Sequence, residues 1–151
     1  MKKIFYTVLG ISAVLVLSVA GFCALNQPPS IEYLRENPEA FRFEDYKNLQ
    51  EISDTLRQLI PEGMAEEGVD SILLGIPNIQ KYDVEILPEQ LEHHHPGASK
   101  LVNFAYRPSS WFVKMRYELK GARMLQPFKG YTVMTSFDNN NKRLYLRVRR
   151  N

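Results

Sequence analysis

The hydrophobic period of this 151-residue chain changes once, close to Lys81, and that change dictates the fold class. Upstream, Phe43, Tyr46, Leu49, Ile52, Leu56, Leu59 and Ile60 recur at helical spacing. The residues between them are polar, which predicts an amphipathic helix burying one stripe. Asn37-Pro38 reads as its N-cap and first helical position, Pro61 as its end and Gly63 as the turn that follows. A second, shorter helix is predicted over "MAEEGVDSILLG", with Val69, Ile72 and Leu73 inward and Gly75 with Pro77 stopping it. Downstream the period is two. "KYDVEIL" places Tyr82, Val84 and Ile86 on one face, "LVNFAYR" places Val102, Phe104 and Tyr106 on one face, and "WFVKMRYELK" alternates over 111–120. "YTVMTSFDNNNKRLYLRVRR" reads as a hairpin, with Asp138-Asn139-Asn140-Asn141 as its turn because these residues tolerate left-handed backbone. On its second strand Leu144, Leu146 and Val148 face in, while Arg143, Tyr145, Arg147 and Arg149 face out. Helix, helix, then a run of strands predicts an α+β domain. Two helices would cover one face of an antiparallel sheet of about four to five strands.

Ahead of this domain stands "MKKIFYTVLGISAVLVLSVAGFCALNQPPS". Two lysines precede an uncharged run from Ile4 to Gln27, and the next charge is Glu32. About 20 apolar residues at about 1.5 Å rise each span a hydrocarbon core. The lysines stay cytosolic under the positive-inside rule, so the remainder is exported. Three outcomes remain open: an uncleaved anchor over 4–25, a signal peptide cleaved after Ser18-Val19-Ala20, and a lipoprotein signal at "VAGFC". The start of the chain and its export signal together imply a bacterial inner membrane. The domain would then face the periplasm or the outside, or be released there after cleavage. The expected organisation is signal or anchor over 1–27, a stiff linker over 28–36 and the α+β domain over 37–151. Cys23, the single cysteine, lies inside the apolar run. The exported part therefore has no thiol nucleophile, internal disulfide or Cys-based zinc site.

"LRQLIPEGMAEEGVDSIL", followed by the hairpin "FDNNNK" and "RLYLRV", resembles the small exported envelope domains of the SmpA/OmlA and beta-lactamase-inhibitor-like group. There a leucine-rich helix, a Pro/Gly turn and a second helix precede an antiparallel sheet. The resemblance covers residues 49 to 151 and rests on pattern. It implies a structural or protein-binding role in the envelope, with no catalytic residues to carry over.

Charge is divided along the chain. Residues 28–95 carry fifteen acidic and five basic side chains, a net of −10. Residues 96–151 carry two acidic and twelve basic ones, a net of +10. Either the two halves neutralise each other within one domain, or the solvent face of the sheet is a cationic platform. Lys114, Arg116, Lys120, Arg143, Arg147 and Arg149 would stand on that platform. Like charges on neighbouring strands repel, so such a face points to an anionic partner. In an envelope that partner is anionic lipid, wall polymer or an acidic protein surface. Nucleic acid is not expected in that compartment, and beyond Tyr145 and Phe112 the sequence shows no aromatic platform of a single-strand binder.

All three histidines lie together in "LEHHHPGAS". In an extended loop His93 and His95 would point the same way, and with Glu92 they are candidate zinc or copper ligands. All the candidates come from one segment, bounded by Pro88 and Pro96-Gly97. That is loop composition, and no metal or cofactor is expected to be held there. Because the segment marks the passage from acidic to basic sequence, protonating it would add charge beside the acidic half. The serines lie in no nucleophile motif, phosphate-binding glycine loops are absent, and Glu44-Asp45 and Glu66-Glu67 read as helix surface. Two function classes follow. One is a non-enzymatic binding or structural module of the envelope; the other is a small hydrolase or metal-dependent enzyme working through the His93–His95 loop.

Overall fold

The computed structural model describes residues 28–108 and 130–151. The apolar run from Ile4, Cys23, the expected strand over 111–120, and with it Lys114, Arg116 and Lys120, lie outside the described residues. Among the described residues no helix is long and apolar enough to cross a membrane.

Asn48 starts the main helix, α2 (Leu49–Leu59), which follows a short α1 (Ile31–Glu36). Its side chain accepts the Glu51 N–H at 2.9 Å, while the Glu51 carboxylate accepts the Lys47 N–H at 2.9 Å. The first bond satisfies an amide donor that the helix start would otherwise leave unpaired, and the second ties the residue before the cap to the same turn. Ile52, Leu56 and Leu59, one helical face, are fully buried. The helix starts eleven residues later than the expected Asn37-Pro38 cap. Residues 38–46 instead form two single 3-10 turns, Pro38–Ala40 and Phe43–Asp45, joined by an extended Arg42. An α-helix would turn Phe41 and Phe43 about 200° apart. The extended Arg42 lets both enter the core, where the Phe43 ring stacks on Tyr106 at 4.4 Å and on Tyr131 at 5.2 Å. Residues 31–36, expected as linker, are α1, with Ser30 as N-cap and Leu34 fully buried.

The second helix, α3 (Glu66–Gly75), buries Val69, Ile72 and Leu73 as expected. It ends at Gly75, where a Cβ would come within 2.6 Å of the Pro38 ring, so only glycine admits this approach. Four strands follow, β1 (Ile79–Asp83), β2 (Lys100–Tyr106), β3 (Tyr131–Phe137) and β4 (Arg143–Arg150), with α4 (Pro88–His94) between β1 and β2. They form one antiparallel sheet in sequence order, so the fold is α+β, with four helices and four strands among the described residues. Val102, Phe104, Tyr106, Val133, Phe137, Leu146 and Val148 build the face covered by α2 and α3. α2 packs on β4 and α3 on β1. At Gly130, φ is +118° and a Cβ would collide with the Tyr106 carbonyl oxygen.

Two strands differ in phase from the simple alternation. In β1, Tyr82 is exposed, whereas Lys81 lies opposite Phe104 on the helix side. In β4 a bulge intervenes: Ser136 pairs with Tyr145 and Phe137 with Arg143, leaving Leu144 as the extra residue. Arg143 therefore turns inward and is buried, while Leu144, expected in the core, is half-buried beside Gly97.

Candidate functional site

Of the expected cationic platform, the described residues retain a strip on β4. Arg147 and Arg149 are exposed on the sheet face opposite α2 and α3, across from Met134 and Thr132 of β3. Tyr145 precedes them on the same face and is 43% exposed. Neither arginine has a salt bridge among the described residues. Spacing two residues apart puts the two side chains on one face, their Cα atoms about 7 Å apart along the strand.

Arg143 does not belong to this strip. Its Nε donates to the Pro61 carbonyl at 3.0 Å. Its backbone is paired on both sides with the α2–α3 turn: the Gly63 N–H donates to the Arg143 carbonyl at 2.8 Å and the Arg143 N–H to the Met64 carbonyl at 2.8 Å. The Glu66 N–H donates to the Asn141 carbonyl at 3.0 Å, extending the seam to the hairpin turn. That turn is the expected one. Asp138 Oδ1 accepts the Asn140 and Lys142 N–H groups at 2.8 and 2.9 Å, and Asn141 takes a φ of 55°. Burial holds the Arg143 guanidinium below its ordinary pKa. The residue locks two parts of the fold together.

At the opposite edge of the sheet, two α3 carboxylates are paired with lysines. Lys81 Nζ lies 3.0 Å from Glu66 Oε1 and 2.6 Å from Asp70 Oδ2, and Lys100 Nζ lies 2.7 Å from Glu66 Oε1. Lys81 also stands 5.9 Å above the Phe104 ring. Burial disfavours the Glu66 carboxylate, yet the hydrogen bonds from Lys100 and Lys81 hold its pKa below the ordinary 4.5. Glu66 is thus a bridge between α3 and the sheet, where the sequence pattern suggested plain helix surface.

Glu44 is a second such departure. It is 6% exposed, and its Oε2 accepts the Tyr106 hydroxyl at 3.3 Å within the aromatic cluster of Phe43, Tyr106 and Tyr131. Burial, reinforced by the Glu44 charge, raises the Tyr106 pKa and keeps the phenol protonated. Burial likewise pushes Tyr46 up to about 12. No linear motif marks this cluster; its one signal was the density of aromatic residues over 41–46.

The histidine segment is helical rather than an extended loop. Pro88 stands at the first position of α4, and the His95 N–H closes the helix on the Leu91 carbonyl at 2.7 Å. His93 and His94 meet edge to face at 5.0 Å, and the His95 ring packs on Tyr145 at 5.4 Å. Glu92 Oε2 is occupied by the Gly97 N–H at 2.9 Å. Among the described residues no group of three or more His, Cys, Asp or Glu side chains converges to hold a metal, so His93, His95 and Glu92 are not drawn together as ligands. The charge beside His95 is also not the expected one: Arg147, not the acidic half, is its neighbour on the sheet. An open cleft of about 510 Å³ runs beneath α4, lined by Val84, Ile86, Leu91, Glu92, Lys100 and Leu101 among others.

No family model, curated protein or solved structure matches this chain.

Proposed function

We propose that the chain is a membrane-anchored or exported envelope module that binds rather than catalyses. Residues 4–25 would tether or export it, and the outer face of β4 would contact an anionic partner. The observation that carries this reading is the Arg147–Arg149 strip: two exposed cations side by side, without a salt bridge among the described residues. The lysines at the other edge, by contrast, are already matched by Glu66 and Asp70. With those lysines paired, Arg147 and Arg149 are the exposed members of the expected platform among the described residues. In an exported domain the chemistry that answers it is phosphate or carboxylate: lipid head groups, wall polymer or an acidic protein surface. The pattern resemblance to the SmpA/OmlA and beta-lactamase-inhibitor-like group agrees with a binding role.

The test is retention of envelope extract on the immobilised full-length chain in detergent. The Debye length falls from about 30 Å at 0.01 M to about 3 Å at 1 M salt, so a charge-driven partner should elute between those limits. Arg147→Ser with Arg149→Ser should abolish retention at low salt. Retention indifferent to both salt and the double substitution rules the reading out.

A further inference from the structure

Residues 85–98 form a unit that is bonded within itself and lightly attached to the sheet. Within it, His95 N–H to Leu91 carbonyl is 2.7 Å, Ala98 N–H to His95 carbonyl 3.0 Å and Gly97 N–H to Glu92 carboxylate 2.9 Å. At its two ends the chain is fixed to the sheet. The Val84 N–H donates to the Leu101 carbonyl at 3.2 Å and the Ser99 N–H to the Phe137 carbonyl at 2.8 Å. Between these hinges the attachments among the described residues are few: the buried Leu91 over the cleft, Gly97 beside Leu144, the His95 ring on Tyr145, and the Tyr145 hydroxyl to the Pro96 carbonyl at 3.5 Å. His95 Nδ1 is buried without a hydrogen-bond partner among the described residues. Among the described residues, the charges acting on the ring are His94 from its own helix and Arg147 from β4, both of the same sign as a protonated imidazole. Tyr145, also from β4, offers a neutral ring, and the Glu92 carboxylate is turned to Gly97.

We propose that residues 85–98 are a pH-sensitive flap, docked on the sheet near neutrality and released in mild acid when His95 is protonated. A proton on Nδ1 would create a buried donor with no acceptor, beside a fixed positive charge. Burial first, then His94 and Arg147, lower the His95 pKa, so the docked form resists the proton that the released form accepts. Docking is therefore at full strength above the ordinary histidine value and weakens as pH falls below it. Release uncovers Leu91 on the flap and Leu101 on β2, the latter on the sheet face that carries Arg147, and frees Tyr145. The inference does not depend on what the arginine strip binds.

The full-length chain in detergent is footprinted with hydroxyl radicals at pH 7.5 and pH 5.5. Labelling of Leu91 and Leu101 should rise several-fold at the lower pH, while Leu34 and Leu56 of the helical core stay protected. In His95→Gln the labelling of Leu91 should become independent of pH. A parallel NMR titration of the unmodified chain should show His95 taking its proton below the ordinary histidine value of 6.5. Constant Leu91 labelling, an equal rise at Leu34 and Leu56, an acid response that survives in His95→Gln, or a His95 that titrates at or above that ordinary value overturns the proposal.

Discussion

Replacing Arg143 tests whether the β4 bulge, and with it the phase of the strand, is assigned correctly. By plain alternation Arg143 is a third exposed arginine and Arg143→Ala should be neutral. With the bulge, the side chain is 6% exposed and its Nε holds the Pro61 carbonyl at 3.0 Å. Alanine removes two buried methylenes beyond Cβ, about 1.6 kcal/mol at about 0.8 kcal/mol each. Pro61 is exposed, so water can replace the lost donor, and that hydrogen bond contributes only about 1 kcal/mol net. Relief of guanidinium desolvation offsets part of this, leaving a destabilisation of about 2 kcal/mol. Arg143→Met keeps the stem and removes the buried charge, so it should cost less than about 1 kcal/mol. Arg147→Ala should stay within about 0.5 kcal/mol of the parent. The assay is urea denaturation of the full-length chain in detergent, followed by far-ultraviolet circular dichroism. If Arg143→Ala is no more destabilising than Arg147→Ala, the bulge and the seam to the α2–α3 turn are wrongly assigned.

Two further outcomes are expected. Leu34→Ala should lose about 2–5 kcal/mol in the same assay, because α1 drives this fully buried side chain into the core; a loss below about 0.5 kcal/mol would restore 28–36 to a mere linker. Glu66→Gln should remove one source of acid sensitivity. A carboxyl held below its ordinary 4.5 adds stability that is present above that value and lost as pH falls through the lowered one. With two lysine partners partly open to solvent, its contribution near neutrality is about 1 kcal/mol, and the variant should show a shallower decline of stability below pH 4.5. An unchanged decline would show that the lysines do not hold this carboxylate.

Much of the architecture was legible because period is a local property. Val69, Ile72 and Leu73 on α3, Val102, Phe104 and Tyr106 on β2, and the Asp138–Asn141 turn all stand as their spacing predicts. The start of α2 was misplaced, since Phe41 and Phe43 serve the core through an extended residue that helical spacing does not encode. The candidate site was less legible. The divided charge was visible, but which cations remain free depends on partners far away in sequence.

Lys81 and Arg143 make the difference plain. Alternation along the chain determined that β1 and β4 are strands, that one face is apolar, and that helices precede the sheet. It placed both cations toward solvent. The tertiary structure turned both inward, because the α3 carboxylates of Glu66 and Asp70 await Lys81, and the Pro61 carbonyl awaits Arg143. A period of two is set by backbone geometry within a strand. Its phase is set by what packs against that strand, and a single bulged residue reverses it. The same contacts decided that, of the cations expected on the platform, Arg147 and Arg149 stand exposed among the described residues while Arg143 does not, with His95 packed near them on Tyr145.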